Sequence, residues 1–508
     1  MIKRVPAFLL ALALLSALFP VRARAEDAAV LMVKHAVFTG WQLGDGKVKS
    51  LTATRTVTDK LGKTVDTGVE NRIGMVYRRD ASYPDGSAAS NGFTGNLFWE
   101  GHENGFTTPT YGDATSYYLA LDALVAEGTP QLPATNTGAD TVNGKPVDIV
   151  NVTMDGAKPM NLYVDSATGA YLKLVVDPGG SYETTIDNLT YTTIGGKKFL
   201  SSFRYDDGET VTYSNYKINP QIGVDALHPP APTATWAFTD PSPMKVRVTQ
   251  NGVYFDATIN GVKGRFQLDT GADGILVTKG FAGRLNAKPF RHTQSYGIGG
   301  EGAIATDLLK VDTIEVGGNV LSNVVVSANK AQFNGDDEKL DGLFGFAFLG
   351  GAVVEVNLSN QTMAIHEPQS SLDAYPGVVV NPDLSDGTPV VPMKMDGTVD
   401  VNATFDMGSS FQVLFPHDLP AKTGLKFLID NSSAASHVTF SGVAGDENDE
   451  CGNIDSMAVG PIVYSPLPAC NTYSLSGRDV LVGFDFLKNF DFVFAYAQGK
   501  IVMTPHKQ

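Results

Sequence analysis

Hydrophobic and polar positions follow a strand-like pattern over most of the chain. The stretch YTTIGGKKFLSSFRYDDGETVTYSNYKI is typical, because short runs rich in β-branched and aromatic residues alternate with Gly-Gly and Asp-Gly turns. Two segments have a helical period instead, DAAVLMVKHAVF and SYYLALDALVAEG. The pattern therefore predicts a mainly β protein with a few helices.

Residues 1–25 have the pattern of an export signal. Two basic residues precede an apolar run, and the letters ARA before Glu26 provide a small-residue cleavage site. A membrane anchor is the alternative, but a proline interrupts the run, and no later segment approaches the ~20 apolar residues that a span needs. We therefore expect a signal peptide and a periplasmic or secreted protein without a membrane span.

Prolines divide the remaining chain. The stretch LHPPAPTATWAFTDPSP at residues 227–243 is dense in proline, which disfavours both helices and strand pairing. We expect a linker there, after a β-rich domain at residues 26–226. A weaker proline-containing boundary separates residues 244–367 from residues 368–508.

One pattern occurs twice after the linker. In VYFDATINGVKGRFQLDTGAD an Asn-Gly turn precedes a strand that ends at Asp269, and in VVPMKMDGTVDVNATFDMGSS an Asp-Gly turn precedes a strand that ends at Asp406. The later stretches DGLFGFAFL and DVLVGFDFL also correspond. Gly345 follows Asp269 by 76 positions (345 − 269), and Gly483 follows Asp406 by 77 (483 − 406). This spacing indicates a duplicated unit that brings two aspartates together.

On these motifs, residues 245–508 resemble the pepsin and retropepsin group of aspartic peptidases, with two lobes of β-barrel type. The resemblance implies that Asp269 and Asp406 form a catalytic pair, and that Thr270, Gly271 and Gly408 support it. Two carboxylates about 3 Å apart cannot both ionise, so they share a proton and can activate a water molecule. Neither a metal nor another cofactor is expected.

The resemblance also assigns substrate contacts. The stretch SYGIGGEG lies where the family has a glycine-rich flap, which implies that Tyr296, Gly297, Ile298 and Gly299 close over the substrate. The same glycines formally match a dinucleotide-binding pattern, but no βαβ unit surrounds them. Asp273 either binds the substrate backbone, as in retropepsins, or caps a local turn.

Met407 departs from the family pattern, which has Thr or Ser at this position. The family's hydroxyl reaches across to the opposite loop, whereas a thioether cannot donate a hydrogen bond. We expect one of two braces to be missing, so that only the one from Thr270 remains. Because of this departure, a site that binds a peptide without cleaving it is an alternative.

The N-terminal region, residues 26–226, resembles LolA-like half-barrels in its opening helix and its long meander strands. Such folds cradle apolar ligands, which implies a lipid or another apolar ligand here. A β-rich accessory or docking domain is the alternative.

Charge and cysteine content limit the partners. The net charge of −16 argues against nucleic acid and anionic membrane surfaces. The two cysteines, Cys451 and Cys470, are expected to form a disulfide in an exported protein, with two free thiols as the alternative.

Together these features predict an exported aspartic endopeptidase that acts on peptides or proteins. Because one chain supplies both aspartates, we expect a monomer. One alternative is a non-catalytic periplasmic protein that binds a peptide or a lipid with a degraded protease site. A third hypothesis makes the N-terminal domain an inhibitory or targeting module.

Overall fold

The computed structural model describes residues 26–180, 183–239, 242–295, 304–331, 339–429, 437–442, 445–475 and 479–506. The chain is mainly β, as predicted. None of the helices in these ranges is long and apolar enough to cross a membrane. The predicted signal peptide, residues 1–25, lies outside the described residues.

Strands make up most of the regular structure, and the helices between them are mostly short. The helices are α1 (Ala28–Thr39), α2 (Gly112–Val125), α3 (Lys279–Ala282), α4 (Phe346–Leu349), α5 (Leu419–Thr423) and α6 (Phe484–Leu487). The strands up to residue 260 are β1 (Leu51–Thr58), β2 (Thr64–Ile73), β3 (Val76–Ser82), β4 (Ala88–Phe93), β5 (Phe98–Gly101), β6 (Thr107–Thr110), β7 (Ala134–Val142), β8 (Lys145–Val152), β9 (Met160–Asp165), β10 (Tyr171–Val176), β11 (Thr184–Ile194), β12 (Lys197–Tyr205), β13 (Thr210–Ile218), β14 (Thr235–Ala237), β15 (Met244–Lys245), β16 (Arg247–Val248) and β17 (Val253–Ile259). The remaining strands are β18 (Val262–Leu268), β19 (Ile275–Thr278), β20 (Pro289–Ser295), β21 (Ile304–Val316), β22 (Asn319–Asn329), β23 (Gly342–Phe344), β24 (Val353–Asn357), β25 (Thr362–His366), β26 (Val378–Val380), β27 (Val390–Met395), β28 (Val399–Asp406), β29 (Val413–Pro416), β30 (Phe427–Ile429), β31 (His437–Gly442), β32 (Gly445–Ile454), β33 (Met457–Val459), β34 (Ile462–Tyr464), β35 (Leu467–Thr472), β36 (Asp479–Gly483), β37 (Phe490–Ala495) and β38 (Lys500–Pro505).

The chain divides into two compact units. The first combines Met1–Val48 with Ser116–Thr212, and the second combines Lys49–Thr115 with Tyr213–Gln508. The domain boundaries expected from the prolines stay a prediction.

The first unit consists of helix α1, most of α2 and an antiparallel meander in the order β7-β8-β9-β10-β11-β12-β13, in which β13 crosses into the second unit. Helix α1 lies where the sequence predicted a helix. It begins at Asp27, whose Oδ1 accepts a hydrogen bond from the Ala29 N–H, and it ends at Gly40 in the left-handed region. The turn between β11 and β12 lies at the Gly-Gly pair where a turn was predicted, and both glycines have positive φ.

The second unit opens with the meander β1-β2-β3-β4-β5-β6. Within the segment expected to be a linker, β14 pairs with β22 through partners such as Trp236 and Leu321. Its three residues fall in a run without proline, so their N–H groups are available for strand pairing.

The first lobe of this unit has the strand order β14-β22-β19-β23-β18-β17-β21-β20. Strand β18, which leads to Asp269, runs parallel to β23, and β19 runs antiparallel to β23. The second lobe has the order β30-β32-β35-β29-β36-β28-β27-β33-β34. There β28 runs parallel to β36, and β29 runs antiparallel to β36. The two lobes therefore repeat one arrangement of strands, as the duplicated sequence indicated.

A third sheet links the lobes, with the order β15-β25-β24-β37-β38-β26. Strand β24, which follows the first repeat, pairs with β37, which follows the second. One continuous hydrophobic core extends through both lobes and includes Phe255, Phe344, Phe405 and Phe484. Burial of this size makes the two lobes one packed body.

Candidate active site

Asp269 stands at the end of strand β18, on the first of two equivalent loops. Its N–H donates to the Phe344 carbonyl at 3.0 Å, which extends the pairing of β18 with β23 by one residue. Its carboxylate Oδ1 accepts from the Gly271 N–H at 2.9 Å. The loop backbone thus fixes the rotamer of this carboxyl group.

Asp406 occupies the equivalent position at the end of β28. Its Oδ1 accepts from the N–H groups of Gly408 at 2.8 Å and Ser409 at 3.1 Å. The second loop therefore repeats the first, since backbone N–H groups of each loop donate to its own carboxyl group.

The two loops face each other so closely that only glycine fits two positions after each aspartate. A Cβ at Gly271 would lie 2.5 Å from Asp406 Cγ, and a Cβ at Gly408 would lie 2.3 Å from Asp269 Cγ. Contacts below about 3 Å are not tolerated between such atoms. Each glycine therefore makes room for the opposite carboxyl group, and the structure brings Asp269 and Asp406 together.

The two carboxyl groups are electrostatically coupled. Burial raises the pKa of Asp269 well above its ordinary value, and the neighbouring Asp406 charge raises it further. Burial also raises the pKa of Asp406, but hydrogen bonds from Asp269 and from loop N–H groups oppose that rise. Both carboxyl groups therefore hold a proton more readily than a free aspartate, and the two titrate as one coupled pair.

Thr270 connects the two loops. Its hydroxyl donates to the Phe405 carbonyl at 2.7 Å and accepts from the Met407 N–H at 2.9 Å. The Met407 side chain is fully buried in the core at 0% exposure. One loop therefore reaches across with a hydroxyl, and the other fills the equivalent space with an apolar group.

The glycine of each second motif lies beneath its loop. The Phe346 N–H donates to the Ala272 carbonyl at 2.8 Å, and the Phe484 N–H donates to the Ser409 carbonyl at 2.7 Å. A Cβ at Gly345 would lie 2.0 Å from the Ala272 oxygen, so no other residue fits there. These contacts explain why the aspartate and glycine motifs repeat at nearly the same spacing.

The predicted substrate contacts are described only in part. Tyr296, Gly297, Ile298 and Gly299 lie outside the described residues. Asp273 follows the first loop with its side chain partly exposed, and desolvation raises its pKa. Its roles in substrate binding or turn capping stay predictions.

Two residues that support the loops were not singled out from the sequence. Ser409 donates a second N–H to Asp406, and Phe346 holds the Ala272 carbonyl. Both stand inside the repeated motifs, so alignment of the two halves could have identified them.

The predicted disulfide is confirmed, since Cys451 on β32 bonds to Cys470 on β35, directly opposite in the register. In the described ranges, no group of three or more His, Cys, Asp or Glu side chains is arranged to hold a metal ion.

Comparison with known proteins identifies the first lobe. Residues 255–348 match the Aspartyl protease family by sequence, which confirms the resemblance to aspartic peptidases for this segment. No curated protein matches the chain.

Solved structures also match the chain. A DUF1329 family protein from Desulfovibrio piger is 12% identical with a TM-score of 0.26, covering 39% of this chain and 97% of its own. A LolA superfamily protein from Nitrosomonas europaea is 10% identical with a TM-score of 0.31, covering 40% of this chain and 98% of its own.

Proposed function

We propose that the protein is an aspartic endopeptidase that hydrolyses peptide bonds with a water molecule activated by Asp269 and Asp406. The observation that carries this proposal is the fit of each loop glycine against the opposite carboxyl group, 2.5 Å from Asp406 Cγ and 2.3 Å from Asp269 Cγ for an added Cβ. Any side chain at either glycine would collide with the opposite carboxyl group, so both glycines are needed for the two carboxyl groups to face each other. The aspartyl protease match over residues 255–348 supports the same reaction class.

The pair divides the chemistry between its two members. The ionised member of the pair accepts a proton from the attacking water while the protonated member donates a hydrogen bond to the peptide carbonyl oxygen. The carbon becomes tetrahedral, and a proton then moves to the leaving amine nitrogen as the C–N bond breaks. The products are a carboxylic acid and an amine, and the pair returns to its singly protonated state.

Substrate, assembly and location follow from the same features. A peptide or protein segment is the substrate that this reaction needs, and a monomer suffices because one chain provides both loops. The Cys451–Cys470 disulfide supports an oxidising compartment, in agreement with export to the periplasm or beyond. For the N-terminal region, an apolar ligand such as a lipid remains part of the proposal.

Binding without cleavage is the second candidate, and Met407 is the observation that favours it. Its loop lacks the hydroxyl that would form a second brace, and the buried thioether packs in its place. A less rigid pair would bind a peptide at the same site and hydrolyse it slowly.

The test is cleavage of a peptide library by the full-length protein between pH 3 and pH 8, read by mass spectrometry. Asp269→Asn and Asp406→Asn should each abolish cleavage, because an amide neither accepts the water's proton nor shares one. The matched control is Asp256→Asn, an aspartate on the same lobe whose side chain is 72% exposed. Cleavage that survives in both dyad variants contradicts the proposal. Peptide binding without any cleavage by the wild type supports the second candidate.

A further inference from the structure

A hairpin that precedes the predicted linker docks onto both protease-like lobes. We call residues 98–111 the docked hairpin: it consists of β5, a 3-10 turn at Glu103–Gly105, β6 and Tyr111. It closes on itself through the His102 N–H, which donates to the Phe106 carbonyl at 2.8 Å. This segment belongs to the same compact unit as the two lobes.

Asn104 fastens the tip of the docked hairpin to the first lobe and to the segment that leads into it. Its Oδ1 accepts from the Val325 N–H at 2.6 Å, and its carbonyl accepts from the N–H groups of Thr233 and Ala234, each at 3.0 Å. Asn104 has φ of 67°, a conformation that costs energy for residues other than glycine. It is only 4% exposed, so the hydrogen bonds to the lobe compensate for this conformation.

Aromatic and glycine contacts extend the docking to both lobes. A Cβ at Gly351 in the first lobe would lie 2.4 Å from the Phe106 ring, which is itself part of the hydrophobic core of the lobes. A Cβ at Gly499 in the second lobe would lie 2.2 Å from the Tyr111 ring. The docked hairpin therefore touches each lobe at a place where only glycine leaves room for its ring.

His102 packs on the residue that supports the first dyad loop. Its ring centroid lies 4.1 Å from that of Phe346, and Phe346 also stacks on Tyr496 of the second lobe at 5.7 Å. The Phe346 N–H holds the Ala272 carbonyl at 2.8 Å, and the Ala272 N–H in turn bonds to the Asp269 carbonyl at 3.3 Å. A short series of contacts thus leads from the docked hairpin to the dyad.

The His102 ring is itself held in place. Its Nε2 lies 2.7 Å from the Thr108 hydroxyl, across the same hairpin. Burial lowers the pKa of His102 to about 4, so the ring is uncharged at pH 5 and above. An uncharged, hydrogen-bonded ring is a rigid surface against which Phe346 can pack.

We propose that His102 is a positioning residue for the catalytic pair, which acts through Phe346 to hold the Asp269 loop at the geometry that hydrolysis requires. This inference rests on the proposed endopeptidase function. It makes the docked hairpin, which lies before the predicted linker, a working part of the peptidase and not a separate module.

The experiment compares full-length wild type with His102→Ala, His102→Phe and Thr108→Val on one peptide substrate. We expect His102→Ala to lower kcat about tenfold with KM changed less than twofold, because a displaced loop harms the transition state more than substrate binding. His102→Phe keeps a ring against Phe346 and should retain at least half of the wild-type kcat. Thr108→Val should lower kcat by less than His102→Ala does. If His102→Ala does not fold, the kcat of Thr108→Val tests the positioning role.

The control is His417→Ala, which removes another histidine stacked on an aromatic ring, Tyr473, at an exposed site on the second lobe. It should leave kcat unchanged. Wild-type kcat in both His102→Ala and Thr108→Val, or a His102→Phe variant no better than His102→Ala, overturns the positioning role. Loss of cleavage in Asp269→Asn establishes separately that the activity measured belongs to the dyad.

A second readout does not depend on activity. Amide hydrogen exchange in residues 269–273 and 343–349 should be at least threefold faster in His102→Ala than in wild type, and unchanged in His417→Ala. Unchanged exchange overturns the positioning role even if the protein proves to bind peptides without cutting them. Faster exchange in a protein that does not cleave refutes the proposed function while retaining the loop-holding role of His102.

Discussion

The Thr270 hydroxyl connects the two dyad loops directly. Thr270 both donates to and accepts from the opposite loop, at 2.7 Å and 2.9 Å, and is 1% exposed. Water cannot replace it at that depth, so the Phe405 carbonyl and the Met407 N–H depend on it for hydrogen bonding.

Thr270→Val should therefore harm both stability and activity. The substitution keeps the shape and leaves two buried polar groups unsatisfied, which costs about 2 to 4 kcal/mol of unfolding free energy. Turnover should fall as well, because the loops lose their common anchor. Urea unfolding and kcat measure the two effects, with Thr270→Ser as the control that keeps the hydroxyl. Equal stability of the valine and serine variants would show that these hydrogen bonds contribute little.

The raised pKa of Asp269 predicts that the free energy of unfolding decreases as the pH rises. The folded state binds this proton more tightly than the unfolded chain, whose carboxyl titrates near 3.8. The stability that protonation gives is fully present below that pH and is lost as pH rises toward the folded pKa, at about 1.4 kcal/mol per unit. Asp269→Asn should thus raise the melting temperature at pH 7 relative to wild type, with a smaller gain at pH 3. A gain independent of pH, or one equalled by Asp256→Asn, contradicts this account.

Helix α1 is held to its own unit by the buried, hydrogen-bonded pair of His35 and Glu127. His35 Nδ1 donates to the Gly169 carbonyl at 2.8 Å, and Nε2 lies 2.9 Å from a Glu127 carboxylate oxygen. The imidazole stacks on Tyr171 with ring centroids 3.4 Å apart. Because the carbonyl can only accept, Nδ1 carries a hydrogen, and Nε2 is left to hydrogen-bond with Glu127.

His35→Ala should destabilise the first unit by roughly 3 to 5 kcal/mol, since it leaves the Glu127 carboxyl group buried without its partner. Glu127→Gln should cost less, because its amide can still donate to Nε2. Equilibrium unfolding followed by circular dichroism gives both values. A His35→Ala cost no larger than that of Glu127→Gln would refute the pairing.

Features that local sequence determines were predictable, whereas contacts between distant segments were not. Helix α1, the Asn-Gly and Asp-Gly turns and the meeting of Asp269 with Asp406 were predictable, because period, turn chemistry and the internal repeat each leave a mark on the chain. The pairing of β14 with β22 and the contact of His102 with Phe346 were not. They join segments with no shared period, and a histidine in a hairpin gives no sign of the ring that it will pack against.

One disulfide cross-links two strands of the second lobe. The disulfide joins Cys451 on β32 to Cys470 on β35, and the two cysteines are 19 positions apart in sequence. Cys451 directly follows the part of β32 that pairs with β31. A cross-link over a loop of this length restricts the unfolded chain.

Replacing both cysteines with serine should lower the unfolding free energy by about 3 kcal/mol. The wild type should melt at a lower temperature with a reducing agent than without it, and the double variant should melt identically in both. Equal melting of the wild type in the two conditions would show that the bond adds no stability.

The unequal loops of the dyad have a consequence for how such a site can evolve. When two identical chains assemble a protease, every mutation enters both halves at once, and the two aspartates stay interchangeable. Here Thr270 and Met407 occupy corresponding places yet differ in chemistry, which two identical chains could not provide. Broken equivalence lets selection alter one half while preserving the other. The surroundings of Asp269 and of Asp406 can therefore change independently of each other.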